Sequence, residues 1–106
     1  MPQVNFETVT IDLTSGPDSS GRISGSASVS FPTNVIKANA SIAEFRIGYG
    51  NDNDHHVRTF GAQVDNVQIN GTRVNVDGSL TLVDKSGNKI TRLGAILKAT
   101  IMAWCE

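Results

Sequence analysis

Asp52, Asp54, His55 and His56 form the densest group of ligand-type side chains in this 106-residue chain. Carboxylates and imidazoles hold metal ions, and the same groups contact sugar hydroxyls and anions. The spacing limits the choice. His55 and His56 are adjacent, and neighbours in a strand point to opposite faces, so the two rings cannot readily close on one ion. The run Asn51-Asp52-Asn53-Asp54 resembles the start of a calcium loop, but Val57 stands where such a loop needs glycine, and no glutamate follows at the twelfth position. No metal is therefore expected. The open readings are a polar turn feeding a strand, with one histidine out and one in, or a contact for a sugar or anion.

Arg46, Arg58 and Arg73 fall on predicted strands that can be neighbours. Their planar forks of donors suit carboxylates and sugar hydroxyls, and they can equally pair with Glu44, Asp65 or Asp77 on a solvated face. Trp104 is the sole indole. It fits stacking on a sugar ring, and it fits a core or interface position at the end of an apolar strand. Catalysis has no support. A nucleophile, a base and an orienting group must converge, and the chain has two histidines, no Gly-x-Ser-x-Gly elbow and one cysteine, Cys105. No enzyme and no cofactor are expected. With one cysteine there is no intrachain disulfide, although its place near the C-terminus permits an intermolecular one.

The elements that must position these groups are strands. Around Asn70-Gly71 the apolar residues Val64, Val67 and Ile69 give way to Val74, Val76, Leu80 and Leu82, with Gly78 in the apolar register. Asn-Gly favours a type I′ turn, so a hairpin is predicted there. The first strand covers Val4 to Leu13 and changes register, which implies a bulge or bend near Glu7-Thr8. Ile23 to Phe31 sets Ala27, Val29 and Phe31 against Ser26, Ser28 and Ser30. Val35 to Tyr49 reads as two strands, or one bulged at Ile42-Ala43, with a short helix over Ile36 to Ala43 as the alternative. Asp84 to Asn88 is a second hairpin-like loop. Leu93 to Trp104 is apolar on both faces, Leu97, Ala99, Ile101 and Ala103 on one and Ile96, Met102 and Trp104 on the other. Such a strand is the centre of a sandwich or the seam of an oligomer. The whole reads as all-β: an antiparallel β-sandwich of about six to seven strands, one domain over residues 1–106.

Composition narrows the partners. Nine basic and ten acidic residues are scattered, for a net charge of −1, so nucleic acid is not an expected partner. Gly, Ser, Thr and Asn together number 38, as in turns and polar strand faces. Neither a signal peptide nor an apolar run of about 18 residues is found, so no membrane insertion is expected. With aromatics at only 6%, the core is modest and burial against further copies is expected to help.

The segment Val29-Ser30-Phe31-Pro32, then Val35, then alternating strands ending in Ala103-Trp104, resembles an H-type lectin domain over residues 28–104. That family is a six-stranded antiparallel sandwich of about this size that assembles as trimers or pairs of trimers and binds N-acetylgalactosamine-type sugars. The family's tryptophan-containing segment before the last strand is replaced here by Leu82 to Asn88, and the order of the terminal aromatic and alanine differs. The resemblance therefore implies the fold and the oligomer, and no sugar-contacting residue. The leading expectation is a glycan-binding homo-oligomer, a trimer or hexamer, with Asp52, Asp54, His55, His56, Arg58 and Trp104 as candidate ligand contacts. The alternative is a structural or assembly protein, a tail, coat or appendage component, without a small ligand.

Overall fold

Alternation of apolar and polar residues over most of the chain, with few good helix formers, leaves strands as the way to bury one face and wet the other. The computed structural model describes residues 2–50 and 54–106 and contains no helix among them. Its seven strands are β1 (Gln3–Thr10), β2 (Asp12–Ser15), β3 (Arg22–Ser30), β4 (Val35–Arg46), β5 (Val57–Asn70), β6 (Arg73–Asp84) and β7 (Ile96–Cys105). They form a three-stranded sheet in the order β1-β7-β4 and a four-stranded sheet in the order β2-β3-β6-β5, every pair antiparallel. The two sheets pack face to face as a slender sandwich, 55 × 19 × 19 Å.

The core lies between the sheets. From β7 come Leu97, Ala99, Ile101, Ala103 and Cys105, and from β6 Val74, Val76, Leu80 and Leu82, all buried and joined by Ile11, Ile23, Phe31 and Val35. Cys105 is a free thiol sealed in this layer, only 1% exposed, so it does not present itself for an intermolecular bridge.

One residue carries the chain from sheet to sheet. The bulge or bend predicted at Glu7-Thr8 does not occur, for β1 keeps an unbroken register with β7 from Gln3 to Thr10. The apolar pattern switches because Val4 and Phe6 lie on the outer face, opposite Trp104 and Met102, whereas Val9 faces the core opposite Ala99. The chain changes sheet at Ile11, whose amide donates to Leu97 O at 2.8 Å. There the chain leaves β1 in one sheet and enters β2 in the other, while Val9, Ile11 and Leu13 keep one inward register through the crossing. The crossing needs space on the inner face. Gly25 and Gly78 are cross-strand partners beneath it. A Cβ on Gly25 would lie 1.7 Å from Asp12 O, and one on Gly78 would lie 2.7 Å from Leu97 Cδ2 and 3.1 Å from Ile11 Cγ1. Two missing side chains make room for the handover.

Two other readings move by a residue or resolve. The hairpin at Asn70-Gly71 forms, but Asn70 pairs with Arg73, so the turn residues are Gly71 and Thr72. Gly71 alone has positive φ, 65°, which fits glycine at the first central position of a type II′ turn and not the Asn-Gly I′ turn. The inward pairing of Ile69 with Val74 fixes that register. Residues 35–46 are one strand with a bulge between Ile42 and Glu44, and the helical alternative is excluded. In β5, Asn66 at φ 52° is part of a second bulge, which lets both Val64 and Ile69 face the core side.

Candidate functional site

The outer face of the four-stranded sheet is polar along its length because every second residue of β3 and β6 is. Register stacks these residues into rows across three strands: Arg22–Thr81–Gly61, then Ser24–Ser79–Gln63, then Ser26–Asp77–Asp65. Gly61 leaves the first row low. A Cβ there would meet nothing closer than Thr81 Cβ at 3.9 Å, and its backbone is not in the left-handed region, so the hollow comes from a side chain that the strand has room for but lacks.

A cavity of about 370 Å³ opens over this floor, with Ser20, Arg22, Arg58, Phe60, Gln63 and Thr81 among its walls. It runs on into a second hollow of about 390 Å³ that reaches Ser24, Ser26, Asp65 and Asp77, and Arg22, Gln63 and Ser79 belong to both. Together they make one open trough. Arg58 reaches it through a bulge: Val57 pairs with Asp84 and Thr59 with Val83, leaving Arg58 as the extra residue that the distortion re-aims. Phe60 borders the hollow beside Gly61, but its pairing with the core residue Leu82 sends its ring to the other side of β5, 5.9 Å from that of Phe45 on β4.

The charged groups around the trough are mostly engaged. Asp65 accepts from the Gln63 side-chain amide, and Asp77 Oδ2 accepts from Asn66 Nδ2 at 2.7 Å. At the other end Asp18 accepts from Ser20 Oγ at 2.7 Å, Ser20 N at 2.9 Å and Arg22 N at 3.1 Å. The Ser20 hydroxyl bond leads in holding its carboxyl below the usual range, with help from the Arg22 charge.

The residues singled out in the sequence are dispersed. Asp52 lies outside the described residues. Asp54 and His56 are exposed near the start of β5, and His56 O accepts from Lys85 N at 2.9 Å. Trp104 sits on the outer face of the opposite sheet, half-buried, with Lys37 Nζ 5.7 Å from its ring centroid. Arg46 is on that sheet too and makes an exposed 3.6 Å contact with Glu44. Among the described candidates only Arg58 lines the trough.

His55 is buried in a different constellation. Its Nδ1 is 2.5 Å from Asp84 Oδ2, and the Tyr49 ring stacks on it at 3.8 Å between centroids and 14° between planes. Asp84 also accepts from Asn88 N at 2.7 Å, Asn88 Nδ2 at 2.8 Å and Ser86 N at 3.0 Å. The His55 bond leads in pulling the Asp84 carboxyl down to about 2, against the opposing effect of burial. Loss of water raises the Tyr49 hydroxyl, whose oxygen is buried without a partner among the described residues. This cluster clasps the end of β6 and the 85–88 turn to the segment before β5. No group of three or more His, Cys, Asp or Glu that could hold a metal occurs among the described residues.

The trough residues were missed in the sequence for a definable reason. The serines at positions 24, 26, 28 and 30 alternate plainly, but β3 pairs with β6 across more than 40 intervening positions, and only that pairing sets them beside Ser79 and Thr81. No family model matches the chain, and neither a curated protein nor a solved structure does.

Proposed function

We propose that this protein is a glycan-binding homo-oligomer whose sugar site is the trough on the four-stranded sheet. The observation that carries the reading is the make-up of that trough. Hydroxyl, amide and guanidinium groups stand in register over a glycine floor. Sugar hydroxyls both donate and accept, which such a row of hydroxyl, amide and guanidinium groups complements. The trough is open and shallow, so a single copy would bind weakly and several copies would gain by avidity.

The opposite face supports the oligomer. On the three-stranded sheet Val4 pairs with Trp104 and Phe6 with Met102, and Val4 and Phe6 are 47% and 63% exposed. Copies joined through this patch would leave every trough open to solvent. The same patch also favours the second reading, a structural or assembly protein, if the trough has no ligand. A glycan array probed with the protein at high concentration, beside light scattering, separates the two. Sugar-dependent signal is expected. An oligomer without any such signal would replace the lectin reading by the assembly one.

A further inference from the structure

We infer that the saccharide taken by the trough carries a single acidic group, a carboxylate or a sulfate, seated at the Arg22–Arg58 end. The inference rests on the proposed sugar site and adds to it the charge of the ligand and its direction. The first hollow is lined by two arginines and by no carboxylate. Arg58 makes no ion pair among the described residues. Arg22 has Asp18 near it, but that carboxylate already accepts three hydrogen bonds from Ser20 and from the Arg22 backbone. Planar donor forks facing an open hollow are the usual partners of carboxylate and sulfate oxygens.

The second hollow has the opposite sign. Asp65 and Asp77 face each other across β5 and β6 there, and although each accepts an amide hydrogen bond, each keeps acceptor capacity for a sugar hydroxyl. A ligand lying along the trough is thus read in one direction, its acidic unit over Arg58 and its neutral units over Gln63 and the two aspartates. A chain charged on every unit would set negative groups against Asp65 and Asp77. With a net charge of −1, the protein has no general attraction for polyanions to mask this selection.

Titration calorimetry with four oligosaccharides of equal length tests the inference: one neutral, one ending in a single uronic acid, one bearing a single sulfate, and one uronic acid throughout. One or both of the singly charged sugars should bind at least tenfold tighter than the neutral one, and which of them does so tells carboxylate from sulfate. The uniformly charged sugar should bind more weakly than the better singly charged one. Arg58→Gln, and separately Arg22→Gln, should bring the ratio of charged to neutral affinity close to one. Equal affinity for neutral and singly charged sugars, a ratio that survives both substitutions, or tightest binding of the uniformly charged chain would each overturn the inference while leaving a sugar site in place. Binding of none of the four, or binding untouched by Gly61→Val, which fills the floor, would instead remove the trough as the site and the inference with it.

Discussion

The two outer faces of the sandwich arise from the same alternation of side chains and end with opposite chemistry. On the four-stranded sheet the outward positions of β3 and β6 are serine, threonine, asparagine and aspartate almost throughout, and the surface is a wet trough. On the three-stranded sheet the outward positions change along the strands. Val4, Phe6, Met102 and Trp104 cluster at one end, Thr8 and Thr100 share a 3.2 Å hydroxyl contact in the middle, and Lys98, Glu44 and Arg46 occupy the far end. One face offers many directional groups and little area. The other offers a compact apolar patch with few donors, the usual make-up of a protein contact. Period-two alternation therefore settles which residues face out, while the residue chosen at each outward position settles what that face can hold.

Disruption of the apolar end should have the largest effect. Phe6→Asp places a charge in the patch and is expected to reduce the particle mass in light scattering to the 11.3 kDa of one chain. On a glycan surface it should cost on the order of 10²–10⁴-fold in avidity. An unmodified protein already monomeric at micromolar concentration would remove the contact from the comparison. On the polar face, Gly61→Val should abolish sugar binding without lowering the melting temperature, since the added Cβ meets only ordinary contact distances. A variant that folds and binds as before would place the site elsewhere.

Between the two faces, Gly78→Ala tests the crossing at Ile11. Its methyl group would press on Leu97 and Ile11, and overpacking of this kind costs roughly 1–3 kcal/mol, read as a lower urea midpoint at unchanged slope. The His55–Asp84 clasp should show in acid. The Asp84 carboxyl titrates at about 2 when folded and near its ordinary 3.8 when unfolded, so its contribution is complete above about pH 4 and is lost as pH falls through 2. Asp84→Asn should flatten the stability profile over that window, and an unchanged slope would show that other carboxylates govern it. The smallest effect belongs to the polar end of the apolar face. Glu44→Gln should shift stability by less than about 0.5 kcal/mol, because its pair with Arg46 is exposed.

Much of the sandwich was legible because alternation is a local property. The strand at Ile23 to Phe31, the bulge beside Ile42 and the two-faced character of the last strand all depend on neighbours two positions apart. The misplaced bulge at Glu7-Thr8 shows where local reading fails. A change of apolar register looks the same in sequence whether a strand bulges or carries apolar residues on its outer face. Here Val4 and Phe6 point outward beside Trp104 and Met102 while Val9 faces the core. The candidate site failed for the same reason. Asp52, Asp54, His55 and His56 are close in sequence, whereas His55 turns inward to Asp84 and the trough gathers residues from three strands.

The central place of β7 in the three-stranded sheet has a consequence for the order of folding. Both of its partners precede it in sequence, and β1 pairs with it from the opposite end of the chain, as in Val4 with Trp104. Neither ladder of that sheet can begin to form until the seventh strand is present. The β5–β6 hairpin, by contrast, closes over the two residues Gly71 and Thr72. Local pairings form early and distant ones late, because the entropy of closing a long loop must be met before its contacts exist. Val74, Val76 and Leu80 then line up on an open sheet that waits for its cover, an interval in which the chain is most exposed to aggregation. Pulse-labelled hydrogen exchange during refolding should show β5 and β6 amides protected before those of β1, and simultaneous protection would mean that the two sheets close in a single step.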